Sequence, residues 1–273
     1  MPWQLLTALC LTLVALLYAI GLVKLWGKHT LRAWQPPAFF AGCAITAAAL
    51  LSRLDGWSDI LFSAHMAQHE LLMLAGAPLM VLGRPFIVTL WALPPRMRTA
   101  LGSGMKTRWL AAAWERLTGP LTVLLVHAAV IWAWHIPFLF EAALHDDSIH
   151  AVQHLGFFLT AALFWWALIH GRYGRIGYGI GVLYVFATAM HTQLLGALLT
   201  FAPRTWYPTH ALRTAAAHVD PVHDQQLAGI VMWIPFGVVF LLVGLALFAA
   251  WLGEAERRVA FTAAERAARE GEA

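Results

Sequence analysis

Charge is what this sequence has least of. Asp, Glu, Lys and Arg make up 12% of its 273 residues, while 60% are hydrophobic; a soluble domain carries about a quarter charged residues. The deficit excludes a soluble enzyme, a disordered tail protein and a fibrous repeat. Cysteine is nearly absent as well. Cys10 and Cys43 both lie inside apolar runs and form no C-x-x-C, which excludes a disulfide framework and a thiolate zinc site. No nucleophile elbow, no H-E-x-x-H and no paired catalytic carboxylates occur, so no enzymatic activity is expected. The formal charge of +4 does not point to nucleic acid, because the basic residues sit in short connectors between apolar runs.

Long apolar runs are what the sequence does have. A crossing helix needs about 20 mostly apolar residues. Seven stretches supply them, at about 3–23, 36–53, 59–82, 119–139, 148–170, 176–201 and 225–251. The expected fold is all-α: a polytopic seven-transmembrane-helix bundle over residues 1–253, embedded in a lipid bilayer, with 254–273 as a short cytoplasmic tail. The first stretch lacks a basic leader and an A-x-A site, so it reads as a helix rather than a signal peptide. Residues 85–93 (PFIVTLWAL) are too short to cross and are expected to lie along the membrane surface or re-enter it. With the N-terminus outside and seven crossings, 15 Lys and Arg fall inside, against Arg53, Arg204 and Arg213 outside. That bias satisfies the positive-inside rule and places the C-terminus in the cytoplasm. The glycine-rich 171–181 (GRYGRIGYGIG) lacks the strand–turn–helix context of a dinucleotide site and is expected to be a tight inner connector. No extramembrane segment is long enough for a separate domain, so any chemistry belongs inside the bundle or at its outer mouth.

Histidine breaks the apolar pattern. Of 13 histidines, only His29 and His170 fall on the inner side, and Asp55, Asp59, Glu70, Asp147 and Asp224 are among the acids that fall outside. The third helix carries His65-Met66-Ala67-Gln68-His69 and the fifth His150-Ala151-Val152-Gln153-His154, the same H-x-x-Q-H spelling. Histidines at i and i+4 share a helix face, so both imidazoles of a pair can reach one ion. Both helices run inward from the outer side, which brings both motifs in at the same end. His127 and His191 reach similar depths, and Met66, Met73 and Met190 are near enough in sequence to offer thioethers. Gln68, Gln153 and Asp224 can orient imidazoles from behind, although Asp224 can equally cap its own helix. The bland alternative for His127 or His191 is an interhelical hydrogen bond. Glu70 lies about 100° round the helix from His69 and can face a different neighbour. His135 and the tryptophans, Trp165 and Trp166 included, read as aromatic-belt or packing residues. His145, His210, His218 and His223 read as loop residues, solvated or collecting ions around a mouth. Imidazole suits copper, zinc and iron alike, and added thioether favours Cu(I). Histidines on facing helices also suit a membrane haem b-type electron-transfer protein. A metal transporter ranks below both, since the inner halves offer no polar path.

The stretch from His65 to Met73 (HMAQHELLM), followed by Ala77 to Pro85 (APLMVLGRP), resembles the signature of the polytopic CtaG family of cytochrome c oxidase assembly factors. His150…His154 and Asp224-Gln225…Met232-Trp233 are similar to that family too, and the likeness covers nearly the whole chain. It implies a non-enzymatic factor of the bacterial inner membrane that assists haem-copper oxidase assembly. By the same likeness it handles copper on the outer side, with oxidase subunits and periplasmic copper carriers as partners. Glu70 departs from the family pattern, where an apolar residue is more usual. A single-span chaperone with a cysteine-bearing copper domain shares the family's name. This chain has no such domain, so that mechanism does not transfer.

Overall fold

The computed structural model describes residues 2–25, 27–28, 31–170 and 178–271, with side chains to residue 262. Every regular element among them is helical. The order begins α1 (Pro2–Leu25), α2 (Gln35–Leu51), α3 (Arg53–Ser58) and α4 (Phe62–Glu70), then a π-helical turn at Leu71–Gly76 and α5 (Ala77–Leu82). It continues through α6 (Pro85–Ala92), α7 (Pro95–Gly104), α8 (Arg108–Leu117), α9 (Pro120–Trp134), α10 (Pro137–His145) and α11 (Asp147–His170). α12 (Tyr178–Thr200), α13 (Pro208–Ala216) and α14 (Pro221–Gly271) complete it.

Four helices are long and apolar enough to cross a bilayer: Trp3–Leu25, Asp147–His170, Tyr178–Thr200 and Pro221–Thr262. Two bent pairs, Phe62–Leu82 with Pro85–Ala92 and Arg108–Leu117 with Pro120–Trp134, raise the count to six. Gln35–Leu51 is apolar but only 17 residues long. The chain is a multi-pass membrane protein with four to six candidate crossings, and helix covers most of each apolar stretch, residues 176–177 lying outside the described residues. The structure adds detail at three places. α14 runs unbroken past residue 253, so the expected tail helix continues the last apolar helix. Within the glycine-rich stretch, Tyr178–Gly181 already belong to α12, while 171–177 lie outside the described residues. Residues 85–92 form α6, which leaves α5 at a bend of 57° and buries Val88 against α1. Gly83, then Arg84 at φ +53°, then Pro85 make that bend, since the residue before a proline is pushed out of the right-handed helical region.

Two apolar cores hold the helices together. The larger joins α4, α5 and α9 to α14 through side chains such as Met66, Phe157, Phe164, Trp165 and Phe236. The smaller joins α1, α2, α5 and α6 around Tyr18, whose ring stacks on Phe39 at 3.7 Å and whose hydroxyl donates to the Gly83 carbonyl at 2.8 Å. α12 and α14 cross at Gly196 and Gly229, where a Cβ on Gly229 would run into Thr200. Small residues at such a crossing let two backbones approach, as van der Waals packing between membrane helices requires.

The π turn has a local cause. Pro78 carries no N–H and cannot continue the ladder; the Ala77 amide reaches back five residues to the Leu72 carbonyl. The Met73 carbonyl therefore has no amide to accept from. The Trp165 indole N–H from α11 donates to it at 2.8 Å, and the Trp165 ring stacks on Phe240. Trp165 is thus an internal bridge rather than a belt residue. Trp165→Phe keeps the ring and orphans the carbonyl, so it is expected to cost about 1–3 kcal/mol. Thermal unfolding in detergent micelles measures this, and an unchanged midpoint would reject the bridge.

Candidate metal centre

Three histidine-bearing helices, α4, α11 and α13, have a carboxylate on their N-terminal amides. Asp146 caps α11, accepting from the amides of Ser148 at 2.7 Å and Ile149 at 3.2 Å. The cap of α4 comes from far along the chain. Asp224, in the first turn of α14, accepts from the Phe62 amide at 2.6 Å, the Ser63 amide at 3.2 Å and the Ser63 hydroxyl. The first amides of a helix lack internal partners, and a carboxylate there satisfies them and the helix dipole together. Asp224 is therefore engaged with the α4 backbone, neither orienting an imidazole nor capping its own helix. Asp220 does the latter, through the His223 amide at 2.7 Å. Glu141 of α10 caps α13 through the amide and hydroxyl of Thr209.

Asp224 ties α4 to α14, Glu141 ties α13 to α10, Asp146 caps α11 locally, and histidines of α4, α11 and α13 meet. The His65 ring stands 4.4 Å from His69, 5.2 Å from His150, 6.1 Å from His154 and 5.6 Å from His210, centroid to centroid. His69 lies 5.1 Å from His154, and His150 lies 4.3 Å from His154. His65, His150 and His154 bring one donor atom each within 4.8 Å of the others. A metal–imidazole bond is about 2.0–2.1 Å, so the three rings need only draw in slightly to close on an ion. His65 is 1% exposed and His154 5%. His65 Nε2, His150 Nε2 and both ring nitrogens of His69 and His154 have no hydrogen-bond partner. Buried polar atoms are almost always partnered, so a concentration of lone-pair donors in one place marks a site. The donors fit a bare transition-metal ion by number, type and spacing.

The other expected residues lie elsewhere. His127 Nδ1 meets the Thr160 hydroxyl at 3.0 Å, and that hydroxyl donates to the Gly156 carbonyl at 2.8 Å; His127 is therefore the donor in the pair. It interacts electrostatically with His191, and the two stand apart from the His65 group. Met66 and Met73 are packed in the apolar core, while Met190 is 55% exposed on the outside of the bundle. The Gln68 amide donates to the Ala49 carbonyl at 2.8 Å and to Asp55 at 3.0 Å. Gln153 is fully buried with neither end of its amide partnered, and the same holds for the Glu70 carboxylate.

The family model described as cytochrome c oxidase caa3 assembly factor matches residues 16–254. The chain belongs to that family. Relatives include uncharacterized proteins of Mycobacterium bovis and Mycobacterium tuberculosis, each 26% identical over 267 residues, 90% of this chain. A Mycobacterium leprae protein is 25% identical over 260 residues, 88% of this chain. The chain spans 38% of the length of each of these relatives. No solved structure matches.

Two histidines around this family member's site escaped sequence reasoning. His210, expected in a loop, is 2% exposed and rides on α13. Burial, reinforced by Arg213, pushes its imidazole down to about 4, so it is neutral at pH 7 and free to act as a ligand. The signal was present: Tyr207, His210 and Thr214 recur at i, i+3 and i+7 and are all buried, a short amphipathic helix behind Pro208. His135, expected in the belt, is 4% exposed. Its Nδ1–H donates to the Ile131 carbonyl at 2.7 Å, which leaves Nε2 as the lone-pair nitrogen, also without a partner.

A cavity borders the group at His150. It holds about 590 Å³ and is lined by Asp59, Asp147, His150 and Arg213, among others. Arg213 is tied to the Asp59 and Leu144 carbonyls. Burial and then the Asp55 carboxylate push Asp59 above the usual carboxylate range. Asp224→Ala removes the cap that registers α4 against α14 and is expected to cost about 0.5–2 kcal/mol, with Asp224→Asn costing less. Thermal unfolding of the two variants checks the order, and equal stability to wild type would reject the cap.

Proposed function

We propose that this protein assists assembly of a caa3-type cytochrome c oxidase by holding copper, as Cu(I), between His65, His150 and His154 and passing it to an oxidase subunit. Copper is the cargo, entering and leaving as the substrate of the transfer. The observation that carries the reading is the meeting of three imidazole donors in a packed interior that gives their nitrogens no other partner. An oxidase must receive copper at buried positions, and a carrier whose ligands sit within the bundle presents the ion at membrane depth. His69 and His210 stand next to the three and can take over as ligands while the ion moves. His127 and His191 serve interhelical packing in this reading, and Met66 and Met73 the core.

The Lys and Arg bias supports seven crossings with the histidine end facing the periplasm across the bacterial inner membrane. The cavity beside His150 is then the entrance from periplasmic carriers, its Asp59 and Asp147 drawing cations inward. Ring centroids only 4.3–6.1 Å apart leave no slot for a macrocycle between the histidines, which favours a bare ion over haem.

Purified wild type is expected to take up about one Cu(I) per chain in competition with a chromophoric Cu(I) chelator. His65→Ala and His154→Ala should lose it and His127→Ala should keep it, and cells carrying His65→Ala should make oxidase short of copper. Full Cu(I) uptake by His65→Ala, or normally loaded oxidase in those cells, would overturn the reading.

A further inference from the structure

α7 and α8 stand apart from both apolar cores, and none of their residues is buried. Each has 10 residues, about 15 Å by the rise per residue and too short to cross a bilayer alone. They sit at the far end of the bundle from the histidines. Trp114 of α8 meets Trp166 of α11 at 5.4 Å and Phe86 of α6 at 6.2 Å, and Trp166 lies about 24 Å along α11 from His150. Both helices are two-sided. Met97, Leu101 and Met105 recur at every fourth residue and are exposed, and Trp109 follows at the same step, 70% exposed. In α7 the helical period sets Arg96, Thr99, Ser103 and Lys106 on the side away from that stripe; in α8 it sets Arg108 and Glu115 opposite Leu110, Ala113 and Leu117. Exposed Leu117 is followed by exposed Leu121 and Leu125 on α9, which bends away from α8 by 56°. Residues 95–117 hold five Lys and Arg against one acid, Glu115. Arg98 lies 3.9 Å over the Trp91 ring and ties α7 back to α6. Arg96, Lys106, Arg108 and Arg116 are exposed, and among the described residues no hydrogen bond or ion pair engages their side chains.

The geometry points to α7 and α8 as a shelf in the headgroup layer that binds anionic phospholipid. Met97, Leu101, Met105, Trp109 and Leu117 enter the acyl boundary, and Arg96, Lys106, Arg108 and Arg116 hold lipid phosphates. A helix with Lys and Arg on one face and Trp and Leu on the other lies in the plane of the interface in this way. A lipid surface answers both faces at once, anionic at the headgroups and apolar beneath them. An acidic protein surface would match the cations and leave the apolar stripe in water. The stripe also runs on, through Leu117, to the lipid-facing leucines of α9, whereas Arg108, Glu115 and Arg116 keep α8 itself out of hydrocarbon. On the orientation that the Lys and Arg bias supports, the shelf rests on the cytoplasmic leaflet, whose anionic lipids attract basic segments beside membrane helices. The inference is independent of the copper reading.

The test places the full chain in nanodiscs with a bimane fluorophore on Leu101→Cys, in a Cys10→Ala, Cys43→Ala background checked for a monodisperse elution profile. Two discs have the same content of phosphatidylglycerol and phosphatidylcholine. In one the phosphatidylglycerol carries brominated acyl chains; in the other an equal mole fraction of the phosphatidylcholine does. Bromine quenches the fluorophore on contact, so the pair of discs reads which lipid lies against α7. The anionic lipid should be enriched about fivefold beside the label, the factor for one Lys or Arg contact. Removing the charges together (Arg96→Gln, Lys106→Gln, Arg108→Gln, Arg116→Gln) should bring the two discs to equal quenching. A label on Ser103→Cys, on the cationic side, should escape acyl bromine and be reached by iodide from water. Equal quenching in the two discs with all charges in place would overturn the shelf, whether or not the charge variant folds. A Leu101→Cys label that iodide reaches and bromine does not would overturn it too, and would give the face to a protein partner.

Discussion

Hydrocarbon offers no hydrogen-bond partner, so each polar group that a membrane bundle buries must find one inside the protein. The rest of this structure follows from how that demand is met. Where Pro78 breaks the ladder, the Trp165 indole takes the freed Met73 carbonyl. Where α4 begins, Asp224 takes its first amides from across the bundle. Gln225 holds the backbone of the α12–α13 connection, accepting from the Trp206 amide and donating to the Arg204 carbonyl. The imidazoles of His65, His69, His150 and His154 are unpartnered, as are His191, the Gln153 amide and the Glu70 carboxylate. What sets the first four apart is that they meet between α4 and α11, three of them with donor atoms within 4.8 Å of one another.

The caps also explain why the site lies at one end of the bundle. Asp146, Glu141 and Asp224 bind helix N-termini, where the dipole is positive, and each holds in place a helix that carries histidines. Asp224 ties α4 to α14 and Glu141 ties α13 to α10, while Asp146 is local to α11. Because His150 and His154 are one turn apart on α11, the group borders a cavity lined by Asp59, Asp147 and Arg213 through one ring and an apolar groove through the other.

Much of this was legible in the sequence, for definite reasons. The i,i+4 spacing of His65/His69 and His150/His154 is a property of a single helix, so the two pairs and their shared end could be read locally. All-helical architecture followed from the apolar run lengths, although α2 is short and two runs are bounded at one end by Gly-x-Pro or Gly-Pro bends. The convergence of particular histidines was not legible, because it depends on contacts such as Phe62–Asp224, separated by 162 residues. His127 and His191 neighbour each other and lie outside the group of His65, His150 and His154. His210 was hidden because a nine-residue amphipathic helix resembles a polar loop when judged by length and composition alone. Asp224 was read as serving a histidine or its own helix, and it serves the backbone of a neighbour.

X-ray absorption at the copper edge of the singly loaded protein tests the central claim most directly. The account predicts a first shell of imidazole nitrogens alone, with the outer-shell scattering of histidine rings and no sulfur. A shell dominated by sulfur would move the resting ion to methionine or cysteine and contradict the three-histidine site.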